Sequence, residues 1–271
     1  MNLVNGRESD SVSLDDRGLA YGDGVFRTVQ IQGGRPLHWE RHRRKLLSDC
    51  MGLGIPIPSL DALERDVALA CSREPEAVLK IIVTRGVAGR GYAPPPDPQP
   101  THIVRTAPSP SYPPHYAQSG VRLHLCALRL AWQPRLAGIK HLNRLENVLA
   151  RAEWDDPELA EGLLLDIEDN AIEGTMSNLF IVEAGICATP SLGRCGVAGV
   201  QRGRVLQWAV QTATPCREEN IPLPRLLKAD EVFLVNSLIG LWPVREVGGQ
   251  IWDRWPVAAQ ISQWLARDDG A

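Results

Sequence analysis

The feature that most constrains the fold is a proline-rich stretch in the first half of the chain. Nine of the 21 prolines lie between residues 94 and 114, in the clusters YAPPPDPQP and TAPSPSYPPHY. Proline fixes φ and lacks the backbone N–H group, so this density excludes a long helix or a central strand within the clusters. Only the short run HIVRT between them has a strand pattern. We therefore predict a first domain over 1–106, a linker over 107–117 and a second domain over 118–271.

Both predicted domains mix helices with strands. In the first, MNLVNGR, GVFRTVQIQGGRP and AVLKIIVTRG predict strands, and helical apolar spacing occurs over residues 38–54 and again after Ser59, a helix-capping residue. In the second, GVRLHLCAL, GLLLDI, NLFIVEAGICATP and DEVFLVNS predict strands, while residues 143–154, 200–213 and PVAAQISQWLAR predict helices. Helices and strands do not alternate strictly, which favours an α+β fold over a doubly wound parallel sheet.

Charge and composition limit the classes of partner. The net charge of −3 and pI of about 6.1 give no general attraction to nucleic acid or anionic membranes. No apolar run approaches the roughly 18 residues of a membrane helix, and MNLVNGRESD lacks the apolar region of a signal peptide. The six cysteines form no C-x-x-C pair, which argues against a metal site of that kind and suits reduced thiols. We expect a cytoplasmic protein that binds neither nucleic acid nor membrane.

One lysine is a candidate for covalent chemistry. The chain has 25 arginines but only four lysines, and Lys140 lies in the segment LAGIKHLNRLEN. Unlike arginine, lysine loses its charge readily when desolvated, and a neutral amine can form a Schiff base. The largely apolar run before Lys140 favours partial burial, and Arg144 would lower its pKa by like-charge repulsion. On these grounds alone Lys80, inside an apolar strand, is an equal rival, and a surface lysine in a loop is also possible.

Four segments together resemble a known family. GIKHLNRLENVLAR resembles the Schiff-base lysine segment of the fold-type IV enzymes that use pyridoxal 5'-phosphate (PLP). DRGLAYGDGVFRTV (16–29), AIEGTMSNLFIV (171–182) and ATPSLGRCGVAGVQRGRVL (188–206) resemble further motifs of that family, in the expected order. The family includes branched-chain and D-amino acid aminotransferases and aminodeoxychorismate lyase. The resemblance implies a two-domain α+β fold with PLP between the domains, in a homodimer.

The resemblance assigns roles to residues at the matching positions. Lys140 would hold PLP covalently and act as the mobile acid and base, with Thr28 as a second catalytic candidate. Glu173 would face the pyridine nitrogen and keep it protonated, which makes the ring an electron sink. The other cofactor contacts implied are Asn178, the helix start at Gly199, Val200 and Gln201, and the pair Asn236 and Ser237.

One position departs from the family pattern. The family has H-x-x-R-L at the start of its first long helix, with the arginine on the cofactor phosphate, whereas HRRKL places Lys45 there. Lysine binds phosphate as a point charge and lacks the bidentate fork of arginine. Arg41, one turn earlier on the same helix face, is the alternative phosphate-binding residue.

The substrate contacts are implied by two further segments. Arg90 and Tyr92 in GRGY would hold a carboxylate, and Arg27 would meet a second one. Thr28, next to Arg27, points to the other face of a regular strand, so only one of the two can face the site. The sequence leaves that choice open.

GIKHLNRLE, GRGY and NSLIGLWPV resemble the lyase members of the family more than the aminotransferases. This implies conversion of 4-amino-4-deoxychorismate to 4-aminobenzoate and pyruvate in folate biosynthesis, with functional coupling to aminodeoxychorismate synthase. An aminotransferase for D-amino or branched-chain amino acids is the alternative, because it shares the early steps. A binding protein that kept the fold and lost the chemistry is a second alternative, which the Lys45 departure favours.

Overall fold

The structure, a computed structural model, describes residues 1–268, which form two compact units. The first contains Met1–Pro110 and Ile139–Asn143, and the second contains Ser111–Gly138 and the chain from Arg144 onward. The break after Pro110 lies inside the segment predicted as a linker. None of the helices described is long and apolar enough to cross a membrane.

The first unit is a six-stranded antiparallel sheet with the strand order β2-β1-β6-β5-β3-β4. Its strands are β1 (Asn2–Val4), β2 (Arg7–Glu8), β3 (Gly24–Gln32), β4 (Arg35–Pro36), β5 (Ala77–Thr84) and β6 (Thr101–Ala107). Its helices are α1 (Arg17–Tyr21), α2 (Trp39–Gly52) and α3 (Leu60–Arg73). The strands and both long helices predicted for this part of the chain are confirmed.

Local sequence explains these elements. Positive φ angles at Asn5 (49°) and Gly6 (80°) make the tight turn between β1 and β2. The Ser59 side chain accepts the Ala62 N–H and caps α3, as predicted. In β3 every second side chain is fully buried, among them Val25, and these residues pack with the apolar faces of α2 and α3 in one core. Odd-numbered side chains of β3 therefore point to the helices, and even-numbered ones point to the other face.

The second unit is a mixed sheet of nine strands. Its strands are β7 (Val121–Leu130), β8 (Leu159–Asp166), β9 (Ala171–Gly174), β10 (Asn178–Glu183), β11 (Ile186–Pro190), β12 (Cys216–Glu219), β13 (Glu231–Asn236), β14 (Gly240–Val247) and β15 (Gln250–Ile251). Its helices are α4 (His115–Ser119), α5 (Leu145–Arg151), α6 (Val200–Gln211), α7 (Leu223–Leu226) and α8 (Pro256–Asp268). The order is β12-β11-β10-β13-β14-β7-β8-β9, with β15 on β14. Because β9 also pairs with β10, six of these strands close into a barrel.

Parallel and antiparallel pairs coexist in this sheet: β7 runs parallel to β8 and β14, and most other pairs are antiparallel. Phe180 on β10 stacks on Phe233 of β13, and both belong to a core cluster with residues of α6 and α8. The predicted α+β class is confirmed. The helix predicted over 143–154 is shorter and covers Leu145–Arg151.

The structure differs from the predicted domains at Lys140, which was placed in the second domain. The segment Ile139–Asn143 belongs to the first unit, because it pairs with the start of β3. The Phe26 N–H donates to the Lys140 carbonyl at 2.9 Å, and the Leu142 N–H donates to the Gly24 carbonyl at 2.9 Å. A Cβ at Gly24 would lie 2.7 Å from the Leu142 Cδ1 and 2.6 Å from the Val83 carbonyl oxygen on β5, so glycine is needed where both segments approach β3 closely.

Candidate active site

In the first unit, Lys140 lies beside an aromatic ring. Its side chain is half-buried, and its Nζ lies 4.6 Å from the centroid of the Phe26 ring. Lys80, the rival candidate, has its Nζ 5.2 Å from the same centroid. Burial and the nearby Arg105 charge lower the pKa of Lys80. Both lysines named from sequence therefore contact one aromatic side chain on the face of β3 that points away from α2 and α3.

The choice between Arg27 and Thr28 follows from the same alternation. Arg27 is 2% exposed, points towards α2 and forms an ion pair with Asp49. Thr28 is half-buried and points to the face that carries Phe26, next to which Lys140 lies. The predicted contact of Arg27 with a substrate carboxylate does not fit this geometry, because its guanidinium is buried and already paired. Thr28 is the better candidate for a contact with bound groups.

Lys45 is part of the same charged cluster. Its side chain is 24% exposed and forms an ion pair with Asp49, one turn further along α2. Burial and the charges of Arg27 and Lys140 lower the pKa of Lys45, whereas the ion pair with the Asp49 carboxylate favours its charged form. Arg41 is half-exposed one turn before Lys45. Lys45 lies near enough to Lys140 to respond to its charge. Both Lys45 and Arg41 remain candidates for binding the phosphate.

The GRGY loop is held by hydrogen bonds to its backbone and by a contact of the Tyr92 ring with the Tyr21 ring, whose centroids lie 5.4 Å apart. Arg17 donates to the carbonyl oxygens of Gly91 and Tyr92 at 2.9 and 3.0 Å, and the Gly91 N–H donates to the Tyr21 hydroxyl at 3.0 Å. The side chains of Arg90 and Tyr92 are exposed, the latter by 84%. Both remain candidates for substrate contacts, from a loop whose position Arg17 fixes.

In the second unit, Glu173 and Asn178 face each other across β9 and β10. Glu173 is 4% exposed, and its Oε2 accepts the Val197 N–H at 2.8 Å. The Asn178 Nδ2 donates to the Val197 carbonyl at 2.7 Å, and its Oδ1 accepts the Gly199 N–H at 3.1 Å. Two residues predicted to contact the cofactor therefore fix the backbone of residues 197–199, immediately before α6.

This arrangement corrects one detail of the predicted phosphate site. The Gly199 N–H is donated to Asn178, and a Cβ at Gly199 would lie 2.3 Å from the Asn178 Oδ1, so glycine is needed there for close packing. Val200 and Gln201 form the first turn of α6, where backbone N–H groups have no acceptor within the helix. These N–H groups suit a phosphate dianion. The Gln201 side chain is occupied separately, since its Oε1 accepts from Arg204 at 2.9 Å.

Asn236 and Ser237 lie at the end of β13. The Asn236 Nδ2 donates to the Met176 carbonyl at 3.0 Å, and its Oδ1 accepts the N–H groups of Leu238 and Ile239 at 2.8 and 2.9 Å. Its amide therefore stabilises two neighbouring turns. Ser237 is half-buried beside it. The Asn236 side chain therefore has a structural role in these turns, and its contact with the cofactor stays a prediction.

Two buried carboxylates that support predicted site residues were not identified from sequence. Glu161 is 1% exposed and accepts the N–H groups of Thr175 and Met176 at 3.0 and 3.1 Å and the Ser177 hydroxyl at 3.0 Å. It therefore fixes the turn that joins Glu173 to Asn178. Burial raises the pKa of Glu161, and these hydrogen bonds oppose the rise.

The second carboxylate is Asp49, which contacts Arg27, Lys45 and the backbone of Lys140. A sequence signal existed for it. Asp49 lies between the apolar positions Leu46 and Cys50 on the buried face of α2, where a charged residue is buried only if paired.

Comparison with known proteins identifies the family of this chain. The sequence profile of the amino-transferase class IV family matches residues 24–247. The chain belongs to this family. As a class IV aminotransferase-family protein it is a PLP-dependent enzyme, as the resemblance to fold-type IV enzymes predicted.

Individual relatives are similar along nearly their whole length. The chain is 39% identical over 247 residues to the aminodeoxychorismate lyase of Vibrio harveyi, with 90% of each chain covered. It is 28% identical over 273 residues to a D-alanine aminotransferase of Listeria monocytogenes, with 97% of this chain and 92% of the relative covered. The crystal structure of 4-amino-4-deoxychorismate lyase from Pseudomonas aeruginosa matches with a TM-score of 0.96 and 44% identity over 99% of both chains.

Proposed function

We propose that this class IV family member converts 4-amino-4-deoxychorismate to 4-aminobenzoate and pyruvate, a step in folate biosynthesis. The observation that carries the proposal is the 44% identity to the Pseudomonas aeruginosa lyase over 99% of both chains. The identity to the D-alanine aminotransferase of Listeria monocytogenes is lower, at 28%. The two reactions share their early chemistry, so sequence likeness over the whole chain is what separates them.

Each of the two units has residues that suit a part of PLP. Lys140 offers a half-buried amine, Lys45 offers a cation, and the first turn of α6 offers backbone N–H groups for a phosphate. When bound, PLP supplies an aldehyde that bonds to amines and a ring that accepts negative charge. Glu173 would hold a proton on the pyridine nitrogen, from a position that its hydrogen bond to Val197 fixes.

Proton transfer falls to Lys140. Its Nζ would remove the proton from the substrate ring carbon that bears the amino group. The ether bond to the enolpyruvyl group then breaks, and the same Nζ would deliver a proton to the methylene carbon of that group. Pyruvate and 4-aminobenzoate together contain all the atoms of the substrate, so no water is consumed. The ring becomes aromatic, which drives the elimination.

The decisive experiment is a product assay. Purified protein loaded with PLP is incubated with 4-amino-4-deoxychorismate, and 4-aminobenzoate is measured by chromatography. We expect equal amounts of 4-aminobenzoate and pyruvate, and none from Lys140→Ala. A higher rate when aminodeoxychorismate synthase generates the substrate in the same mixture would support coupling to that enzyme.

The alternatives give different results in the same experiment. Transfer of an amino group from D-alanine or a branched-chain amino acid to 2-oxoglutarate, without 4-aminobenzoate, would assign the chain to the aminotransferases. A protein that takes up no PLP and forms neither product would be a binding protein on this fold. An absorption band near about 400–430 nm that Lys140→Ala abolishes would rule out the binding protein.

We also propose that the protein works as a homodimer. Helix α5 exposes Leu145, Val148 and Leu149 by 68%, 61% and 54%. Their spacing places them on one side of the helix, and contiguous exposed apolar residues are typical of interaction surfaces. Light scattering should give twice the chain mass of 29.8 kDa, and Val148→Glu should shift the protein towards the monomer. A monomeric wild type would contradict the proposal.

A further inference from the structure

A single buried carboxylate links three charged or reactive residues of the first unit. Asp49 on α2 is 1% exposed and forms ion pairs with Arg27 and with Lys45. Its Oδ2 also accepts the backbone N–H of Lys140 at 3.2 Å. No other role for Asp49 follows from the proposed reaction, and the sequence motifs do not include it.

We propose that Asp49 is a positioning residue that keeps Lys45 as an ammonium ion and anchors the backbone of Lys140, so that Lys140 rather than Lys45 presents a reactive amine to the cofactor aldehyde. The inference rests on the proposed function, because it assumes that PLP is attached at Lys140.

Such a residue is needed because Lys45 and Lys140 are close enough for the charge of one to affect the other. Burial and the charges of Arg27 and Lys140 all favour the neutral form of Lys45. A neutral Lys45 would compete for the aldehyde and could no longer bind a phosphate as a cation. Asp49 places a negative charge beside Lys45, whereas Arg27 on β3 and Lys140 on the segment that pairs with β3 are positive. The carboxylate therefore opposes each of these effects.

The geometry separates the two lysines. Lys45 lies one helical turn before Asp49, and its Nζ contacts the Asp49 Oδ1. Lys140 uses its backbone N–H for Asp49, and its Nζ lies over the Phe26 ring. Asp49 therefore acts on the side-chain charge of one lysine and on the backbone position of the other.

The test must remove the carboxylate without leaving a buried charge unpaired. Asp49→Asn alone strands the guanidinium of Arg27, which is 2% exposed. The test variant is therefore the double substitution Arg27→Met with Asp49→Asn. The matched control is Arg27→Met alone, which keeps the carboxylate beside Lys45.

Each apo-protein is incubated with PLP at pH 8 and reduced with borohydride, and the labelled lysines are identified by peptide mapping. In the control we expect the label on Lys140. In the double variant the ratio of label on Lys45 to label on Lys140 should rise at least about tenfold, the change that one unit of lysine pKa gives in neutral amine. A loss of stability alone would lower both labels and leave their ratio unchanged.

A second measurement needs no variant. The rate of trace acetylation of each lysine in the wild-type apo-protein is measured as a function of pH. The pH at which this rate is half-maximal should be at least about one pH unit higher for Lys45 than for Lys140. Two results would overturn the role of Asp49 and leave the proposed function standing, provided that the wild type carries its label on Lys140. One is an unchanged ratio of Lys45 label to Lys140 label in the double variant, and the other is equal acetylation midpoints for the two lysines. Wild-type protein that takes no label on Lys140 overturns the proposed function itself.

Discussion

Substitution of Asp23 by asparagine should destabilise the first unit in a pH-dependent way. Asp23 follows α1 and accepts Arg17 Nε at 2.8 Å, Arg85 Nε at 2.7 Å and Arg85 Nη2 at 3.0 Å. Arg17 also holds the GRGY loop, and Arg85 donates to the carbonyl oxygens of Gly54 and Leu53 at the end of α2. The Asp23 carboxylate therefore pairs with two arginines, of which Arg17 contacts the GRGY loop and Arg85 contacts the end of α2.

The magnitude follows from burial. The side chains of Arg17 and Arg85 are 5% and 9% exposed, so Asp23→Asn leaves two cations that are nearly buried without their counter-charge. Removing one partner of a buried ion pair costs about 3–5 kcal/mol. Because Asp23 itself is 15% exposed, water compensates in part, and we expect the lower end, about 3 kcal/mol. This corresponds to a fall in melting temperature of about 6–12 °C.

The pH dependence has a defined sign. Burial raises the pKa of Asp23, but the hydrogen bonds and charges of Arg85 and Arg17 outweigh it and hold this pKa below the usual 3.8. A carboxyl whose pKa is lowered in the folded state stabilises that state above its unfolded pKa and loses this contribution as the pH falls. The difference between the wild type and Asp23→Asn should therefore narrow below about pH 4.

Thermal unfolding followed by circular dichroism from pH 7 to pH 3 measures this difference. The control is Asp97→Asn, at an exposed carboxylate of the same unit, which should change the unfolding free energy by no more than about 0.5 kcal/mol. A loss of unfolding free energy below about 1 kcal/mol for Asp23→Asn would refute the supporting role of these ion pairs, since exposed ion pairs contribute up to about that much. A loss that stays the same at every pH would refute the electrostatic cause.

Three further outcomes are expected in the second unit. Phe180→Ala removes a fully buried ring stacked 5.1 Å from its partner on β13, and denaturant titration should give a loss of about 3–5 kcal/mol. Glu161→Gln should weaken PLP binding by about tenfold in a spectroscopic titration, because an unpaired buried N–H in the turn costs about 1–3 kcal/mol. The control is Glu231→Gln, at a buried carboxylate that accepts the first N–H groups of α8. This control should lower stability and leave PLP affinity unchanged. Gly199→Ala places a Cβ 2.3 Å from the β10 asparagine oxygen, so PLP affinity should fall while the circular dichroism spectrum is retained.

Local sequence predicted most of the regular elements because their signals are local. The apolar spacing that predicted α2 and the Ser59 cap of α3 both lie within the elements that they define. The strands from NLFIVEAGICATP form the hairpin of β10 and β11 for the same reason. Strand β14 was not predicted as a strand, since Gly240 and Pro243 weaken its pattern, yet it lies between β13 and β7. The short helix α1 was also missed; its cap, Asp16, gains support from Thr84, which lies far away in sequence.

The sequence by itself determined the kinds of chemistry available: a scarce lysine at 140, an acidic residue at 173, and a glycine-containing helix start at 199. It could do so because side-chain chemistry and short-range spacing do not depend on the rest of the fold. Only the tertiary structure decided that Arg27 is buried against Asp49, that Thr28 shares the face of Phe26, and that the Lys140 segment pairs with β3. The physical reason is that hydrogen bonds and ion pairs between residues distant in sequence form only after sheets and helices have packed.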